Sequence, residues 1–256
     1  MSSTPALEVR DAVLRFGGIR AVDGVTFEVE PQTTFGVVGP NGAGKTALLN
    51  CVSGVYRLHA GAVHVFGEPV HGKRPDHIAA MGVARTFQST EHFKEFRVVD
   101  YLLLGRVGHI RGSVVGSALA WPLMERVERR ERSAAMGVLE QLELAQYATE
   151  SLAELPYGVQ KRVDIARAIA AEPRIVLLDE PTSGTTSSER GPISDAIRLV
   201  AAAGVTVVMV DHDVDFVSRH CSRLLVMNFG KPIGVGTPAE MLERADVAEA
   251  FLGVTL

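Results

Sequence analysis

The sequence predicts an α/β fold. Two short, continuously apolar runs, IVLLDE and VTVVMVDH, have the character of strands buried in a parallel sheet, and helical patterns alternate with them. A β-rich entry comes first: LEVRDAVLRF, VTFEVE and TTFGVVG are rich in Val and Phe and separated by Gly, Asp or Pro. From Lys45 the pattern turns helical in KTALLNCVSG. Between 89 and 154, VVDYLLLGRV and ERSAAMGVLEQLEL carry apolar residues at helical spacing, which predicts an inserted helical subdomain without strands.

Composition narrows the function. The 256 residues suffice for one substantial core, and 46% hydrophobic with 22% charged residues is the balance of a soluble globular protein. The longest apolar stretch, 199–210, falls short of the roughly 18–20 residues of a spanning helix and reads as a helix end, a turn at Gly204 and a strand. GSVVGSALAWPL, broken by Gly116 and Pro122, reads as a packed helix or loop rather than a membrane-dipping segment. The N-terminus shows no basic region followed by an apolar one, so the protein is expected in the cytoplasm. Cys51 and Cys221 are too few for a disulfide framework and are expected as free thiols. A net charge of -4 gives no footprint for nucleic acid, and the mixed-sign run at 125–132 reads as a solvated helix face. There is no internal repeat and no flexible interdomain linker.

The sharpest chemical signal is Gly39-Pro-Asn41-Gly42-Ala-Gly44-Lys45-Thr46, which fits GxxxxGK[ST] and lies between a predicted strand and a predicted helix. Its glycines let backbone N–H groups close around phosphate, and the following helix turns its positive end toward the same anion. Lys45 is expected on the β- and γ-phosphates of ATP, and the Thr46 hydroxyl on Mg²⁺. Downstream, 175–178 runs into Asp179 and Glu180, so two carboxylates emerge at the strand end where α/β sheets bind ligands. Asp179 is expected to hold Mg²⁺ through its water shell, and Glu180 to polarise the water that attacks the γ-phosphate.

With these motifs in order, the chain resembles the ATP-binding subunit of ABC transporters. The resemblance implies a P-loop NTPase (RecA-like) core with an N-terminal antiparallel β subdomain and an inserted α-helical subdomain. It divides the chain into 1–88, the β subdomain with the first part of the core, 89–160, the helical subdomain with the signature motif, and 161–256, the rest of the core and a C-terminal tail. Gln88 in ARTFQ resembles the Q-loop glutamine that contacts Mg²⁺ and the lytic water and senses the membrane subunit. LPYGVQ stands at the signature motif, which implies that Tyr157, Gly158 and Gln160 contact nucleotide, and His212 in VDHD resembles the switch histidine. Phe16 resembles the aromatic that stacks on adenine, with plain core packing as its alternative. The family further implies a second ATPase subunit, a copy or a paralogue, and permease subunits that supply the only contact with the membrane. ARTFQ, the Tyr-Gly form of the signature and the tail at 236–253 are most similar to subunits of branched-chain amino acid uptake; urea uptake and lipopolysaccharide export subunits carry similar text.

Two positions depart from the family. The signature Ser is replaced by Pro156, which lacks a hydroxyl and an N–H, so γ-phosphate contact is expected to rest on Gly158 and the amides of the helix that follows. After Glu180, the chain reads GTTSS where the family has Gly-Leu followed by Asn or Asp; Thr186 therefore supplies a short hydroxyl in place of an amide or carboxylate. These departures keep a non-hydrolysing nucleotide-binding module as an alternative. A single cassette without a coiled-coil insertion argues against a soluble repair or translation ATPase.

Overall fold

The computed structural model describes residues 4–87, 91–109 and 121–252. Most of the segment 112–123 and Gln88 lie outside the described residues. The chain divides into two compact units: the described parts of 1–85, 174–183 and 198–256 form one, and those of 86–173 and 184–197 the other.

The first unit holds both sheets. Strands β1 (Leu7–Phe16), β2 (Ile19–Val29), β4 (Ala60–Val65) and β5 (Glu68–Pro69) form an antiparallel sheet in the order β2-β1-β4-β5. Six further strands order as β10-β9-β3-β8-β7-β6: β3 (Thr34–Val38), β6 (Val83–Arg85), β7 (Ile175–Asp179), β8 (Thr206–Val210), β9 (Arg223–Asn228) and β10 (Lys231–Gly236). All pairings in this sheet are parallel except the β9–β10 hairpin. Every residue of β3, β7 and β8 is buried, which explains why these strands carry continuous apolar runs, with Thr34, Asp179 and Thr206 only at their ends, rather than alternating. In register, Phe35 and Leu177 both flank Val208, so the strand ends that carry the phosphate loop and Asp179 emerge on the same edge.

One apolar core joins the two sheets through helix α1 (Lys45–Val52). Val9, Phe27 and Val63 of the antiparallel sheet share a buried cluster with Val37, Leu177 and Leu225 of the parallel one and with Leu48 and Leu49. Helix α2 (Pro75–Ala80) adds Ile78. A bulge at Asp11 breaks the β1 register, and Gly61 of β4 fits beneath it; a Cβ at Gly61 would meet the Asp11 carbonyl at 2.3 Å. The remaining helices outside the inserted unit are α7 (Val214–His220), α8 (Pro238–Leu242) and α9 (Ala245–Leu252). Local chemistry starts two of them: Asp213 caps α7, and a Thr237–Glu240 capping box with Pro238 in the first turn opens α8.

The second unit is helical. It comprises α3 (Val98–Gly105), α4 (Trp121–Gln141), α5 (Tyr157–Ala170) and the first part of α6 (Ser187–Ala202). Among its described residues the β content is a single bridge, Arg97 with Ser151. Gly105 brings α3 against α5, where a Cβ would stand 2.3 Å from the Arg167 carbonyl. Beside this crossing the Asp164 carboxylate is buried and receives three donors: the Tyr101 hydroxyl at 2.7 Å, Arg167 Nε at 2.9 Å and the Phe87 amide at 2.6 Å. Burial, first, and the neighbouring Asp164 push the Tyr101 phenol above its ordinary pKa, so it stays a donor.

The charged run at 125–132 is not uniformly solvated. Glu125, Arg126, Glu128, Arg129 and Arg130 are exposed, but Glu131 is 3% exposed. It lies one and two turns before Ala135 and Leu139, both fully buried, and therefore shares their face of α4. There its carboxylate accepts from Arg106 Nε at 2.5 Å, while Arg106 Nη1 donates to the Ala170 carbonyl at 2.8 Å and to Glu172 at 3.0 Å. Removing Glu131 leaves the buried Arg106 guanidinium with only the exposed Glu172 as an ion-pair partner, and losing the buried partner of such a pair costs about 3–5 kcal/mol. Glu131→Ala should thus lower the melting temperature by roughly 6 °C or more, on the scale of about 2–4 °C per kcal/mol for a chain of this size. The double variant Arg106→Met, Glu131→Leu should melt within a few degrees of the parent, as calorimetry on both would show.

Candidate functional site

The phosphate-loop geometry follows from its glycines. Gly44 sits at φ 96° as the N-cap of α1, and a Cβ there would lie 2.0 Å from the Ala21 carbonyl. At Gly39 a Cβ would lie 2.2 Å from the Met227 carbonyl, so these two positions exclude any side chain. Gly42, at φ 80°, has open space around it and needs only the left-handed backbone. Asn41 and Gly42 are exposed at the loop crest. Helix α1 has no side-chain cap and no acidic residue in its first turn, so its positive end carries no built-in anion.

Lys45 is 5% exposed and its ammonium lies within the loop, donating to the carbonyls of Gly39 at 2.7 Å and Pro40 at 3.0 Å. Burial lowers its pKa, and the negative charges of Glu180, Asp211 and Asp179 oppose that shift. Three carboxylates, Glu180, Asp211 and Asp179, are thus near enough to act on the loop cation.

Asp179 ends β7 at 1% exposure. The Thr46 hydroxyl stands 3.4 Å from its Oδ1, and Arg85 Nη2 donates to its Oδ2 at 2.7 Å. Glu180 follows with a left-handed backbone at φ 47°, a conformation that costs a non-glycine residue on the order of 1 kcal/mol. Its amide donates to the Val210 carbonyl at 2.8 Å, and its own carbonyl accepts from Ser183 at 3.2 Å. This turn ends the strand abruptly and sets the second carboxylate at the sheet edge. It is the kind of strain found where a side chain must be aimed.

His212 follows β8 with its side chain 47% exposed. Beneath it Asp211 is fully buried and organises the neighbouring turn: its carboxylate accepts from Thr182 N at 3.1 Å, Thr182 Oγ1 at 2.7 Å, His212 N at 2.7 Å and Asp213 N at 3.1 Å. His212 Nδ1 lies 3.3 Å from the same carboxylate. Phe16 is 47% exposed and forms a T-shaped pair with Tyr56, ring centroids 5.2 Å apart, so it is not a fully buried core residue.

In the helical unit, Pro156 caps α5, Tyr157 is 43% exposed, and Gln160 Nε2 returns to the Leu155 carbonyl at 2.9 Å. The Gly158 amide is engaged within the chain: it donates to Glu189 Oε1 at 2.9 Å. The other oxygen of Glu189 accepts from the Thr186 amide and hydroxyl, both at 2.8 Å, and these bonds hold the carboxylate below its ordinary pKa. A Cβ at Gly158 would meet the Glu189 side chain at 2.7 Å, so any larger residue there would displace the acid. Gly158 of the signature segment and the departure at Thr186 are thus joined by one acid that sequence reasoning passed over.

The structure brings 39–46, Asp179, Glu180 and His212 into one unit and places Tyr157, Gly158 and Gln160 at one helix start in the other. Arg85, Asp211, Thr182 and Glu189 were not singled out in the sequence. Arg85 lies within the quoted ARTFQ and Asp211 directly before His212, but a charged residue beside a motif has no distinguishing spacing.

The architecture and this loop-and-carboxylate constellation define a nucleotide-binding cassette of the P-loop class. Residues 22–183 match the ABC transporter family, and the chain belongs to it as an ATP-binding protein. It is 37% identical over 252 residues to the high-affinity branched-chain amino acid transport ATP-binding protein BraF of Pseudomonas aeruginosa, covering 98% of this chain and 99% of that one. It is 34% identical to LivG of Escherichia coli, a protein of the same description, with the same coverage. Among solved structures, a nucleotide-free ATP-binding cassette from an ABC transporter superposes with a TM-score of 0.86 at 27% identity, covering 98% of this chain and all of the other. A cassette in its ADP conformation gives 0.85 at 26%. Among the described residues, no helix is long and apolar enough to cross a membrane.

The Asp211 hub has a measurable consequence. Asp211→Asn replaces one accepting oxygen by a donor in a buried site that receives only donors, which costs about 1–3 kcal/mol. A melting temperature lowered by roughly 2–12 °C is expected, with a smaller loss in Thr182→Val, where the backbone amide bond remains. An unchanged melting temperature in Asp211→Asn would contradict this account.

Proposed function

We propose that this protein is a Mg²⁺-dependent ATPase that energises uptake of branched-chain or other hydrophobic amino acids through permease subunits in the membrane. The observation that carries this reading is the gathering of Lys45, Thr46, Asp179 and Glu180 at one sheet edge, in a chain whose full-length relatives are named for that transport.

The glycine-shaped amides of 39–46 and the uncapped end of α1 bind the phosphates. Lys45 exchanges the Gly39 and Pro40 carbonyls for β- and γ-phosphate oxygens. Thr46 Oγ1 and Asp179 Oδ1 form a hard, all-oxygen donor pair suited to Mg²⁺. Mg²⁺ bound with nucleotide would share these protein oxygens with the substrate phosphates and its own waters. When bound, the cation neutralises charge on the β- and γ-phosphates. Glu180 accepts the proton of the attacking water, His212 donates toward the γ-phosphate from its seat on Asp211, and Gln88 completes the contacts to cation and water. Phe16 stacks on the adenine ring.

Two copies, or this chain and a paralogue, would close head to tail around two nucleotides. Each site then takes Lys45, Thr46, Asp179, Glu180 and His212 from one chain and the 155–160 segment, with Tyr157, Gly158 and Gln160, from the other. The Gly158–Glu189 bond and the missing donor at Pro156 favour one second reading, a nucleotide-binding module with little hydrolysis of its own.

Lys45→Ala should abolish tight ATP binding in a titration, by about a hundredfold or more. Glu180→Gln should keep ATP binding within a few-fold and lose at least about a hundredfold in turnover. Equal turnover in Glu180→Gln would remove Glu180 as the base. Specific activity of the purified chain should also rise with protein concentration, and further on adding its cognate ATPase and permease. A high rate independent of concentration would refute the shared site, and no turnover even in the full complex would favour the non-hydrolysing module.

A further inference from the structure

Arg85 ends β6, where it pairs in register with Leu177, two residues before Asp179 on β7. Its side chain is 18% exposed and its guanidinium reaches two elements at once. Nη2 donates to Asp179 Oδ2 at 2.7 Å. Nη1 donates to Asn50 Oδ1 at 2.6 Å and to Ser53 Oγ at 2.9 Å. Asn50 is on α1 and Ser53 is its C-cap, so the helix that begins with Lys45 and Thr46 is tied at its far end to the same carboxylate that Thr46 approaches at its near end.

The two oxygens of Asp179 are therefore unequal. One is held by Arg85; the other faces the Thr46 hydroxyl at 3.4 Å. A carboxylate's terminal torsion is broad, so without such a fork the group would turn among its neighbours rather than keep one oxygen toward the hydroxyl. A guanidinium is suited to this because its donors are coplanar and fixed, and a single head can serve three acceptors on two elements; an ammonium has no such plane. A cation placed beside a divalent-metal ligand is electrostatically adverse to metal binding, so any gain from Arg85 must come from geometry and outweigh that repulsion.

We infer that Arg85 is a positioning residue for the divalent cation: by holding Asp179 Oδ2 and bracing it to α1 through Asn50 and Ser53, it keeps Oδ1 beside Thr46, where the cation of the nucleotide complex binds. The inference rests on the reading that Thr46 and Asp179 share that cation.

The test uses the full chain and two measurements. Binding of Mn²⁺ is followed by electron paramagnetic resonance with a non-hydrolysable ATP analogue present, and nucleotide affinity is measured separately in EDTA. In both Arg85→Lys and Arg85→Met, the half-saturating Mn²⁺ concentration should rise by about tenfold or more, the usual effect of removing a residue that orients a metal ligand. Affinity for the nucleotide in EDTA should stay within about twofold, since the phosphate loop is intact. Asn50→Ala removes one brace while leaving Arg85 on Asp179; it should shift Mn²⁺ binding by a few-fold in the same direction, and it carries the test if the Arg85 variants do not fold. Unaltered Mn²⁺ binding in Arg85→Lys, or in Asn50→Ala when the Arg85 variants do not fold, would overturn the inference. So would a parallel loss of Mn²⁺ and metal-free nucleotide affinity, the mark of a merely structural role. Failure of the parent protein to bind Mn²⁺ with nucleotide would instead overturn the underlying reading of the site.

Discussion

A carboxylate at 1% exposure, Asp179, sits at the end of a strand with no polar residue before it, and the surrounding architecture follows from keeping that charge compensated. Burying an unpaired carboxylate is prohibitively costly. The fold meets the requirement with Arg85 from the neighbouring strand and the Thr46 hydroxyl from α1. Because these come from separate elements, compensation of one charge also fixes the helix against the sheet. Lys45, one residue before Thr46, is held in the same place and lies in the field of three acids. The arrangement that makes Asp179 tolerable is the one that gathers the site.

Two helix starts in this chain treat their orphan amides differently. Helix α1 begins at a glycine with no side-chain cap and no acidic residue in its first turn, leaving its positive end for a phosphate. The start of α5 is served by the chain itself, since Glu189, oriented by Thr186, accepts the Gly158 amide. In the proposed sandwich the γ-phosphate would meet an amide that already has an anionic partner. This physical difference underlies the expectation that isolated chains turn over slowly.

The helical unit is held by buried charge as much as by apolar packing. Asp164 on α5 gathers Tyr101 of α3, Arg167 and the Phe87 amide, and Arg167 lies over the Phe87 ring at 4.2 Å. The residue directly before Gln88 is therefore anchored by its backbone and its ring to the helix that opens with the signature motif. Arg106, at the C-cap of α3, and Glu131 of α4 form a second buried pair. A core joined by such bonds has few alternative packings, which suits a unit whose named residues must be presented in one orientation.

The sequence by itself determined five of the ten described strands, β1, β2, β3, β7 and β8, and the phosphate-loop motif, because both are written in short-range patterns. Continuous apolar runs need only burial on both faces, and the 39–46 loop needs glycines at fixed offsets before Lys45 and Thr46. Phe16 shows where such reading stops: one aromatic at a strand end has no spacing that tells surface from core, and only the structure shows it half exposed beside Tyr56. Glu131 was hidden in the same way, since a run of mixed charges resembles a solvated face until Ala135 and Leu139 show which side of α4 is buried. Only the tertiary structure decided the partners of Asp179, Asp211 and Gly158. Arg85, Thr182 and Glu189 lie 94, 29 and 31 residues from them in the chain, and contacts over such separations leave no periodic trace in a sequence. They are set by strand order and helix packing, which bring distant side chains within hydrogen-bond reach once the apolar core has closed.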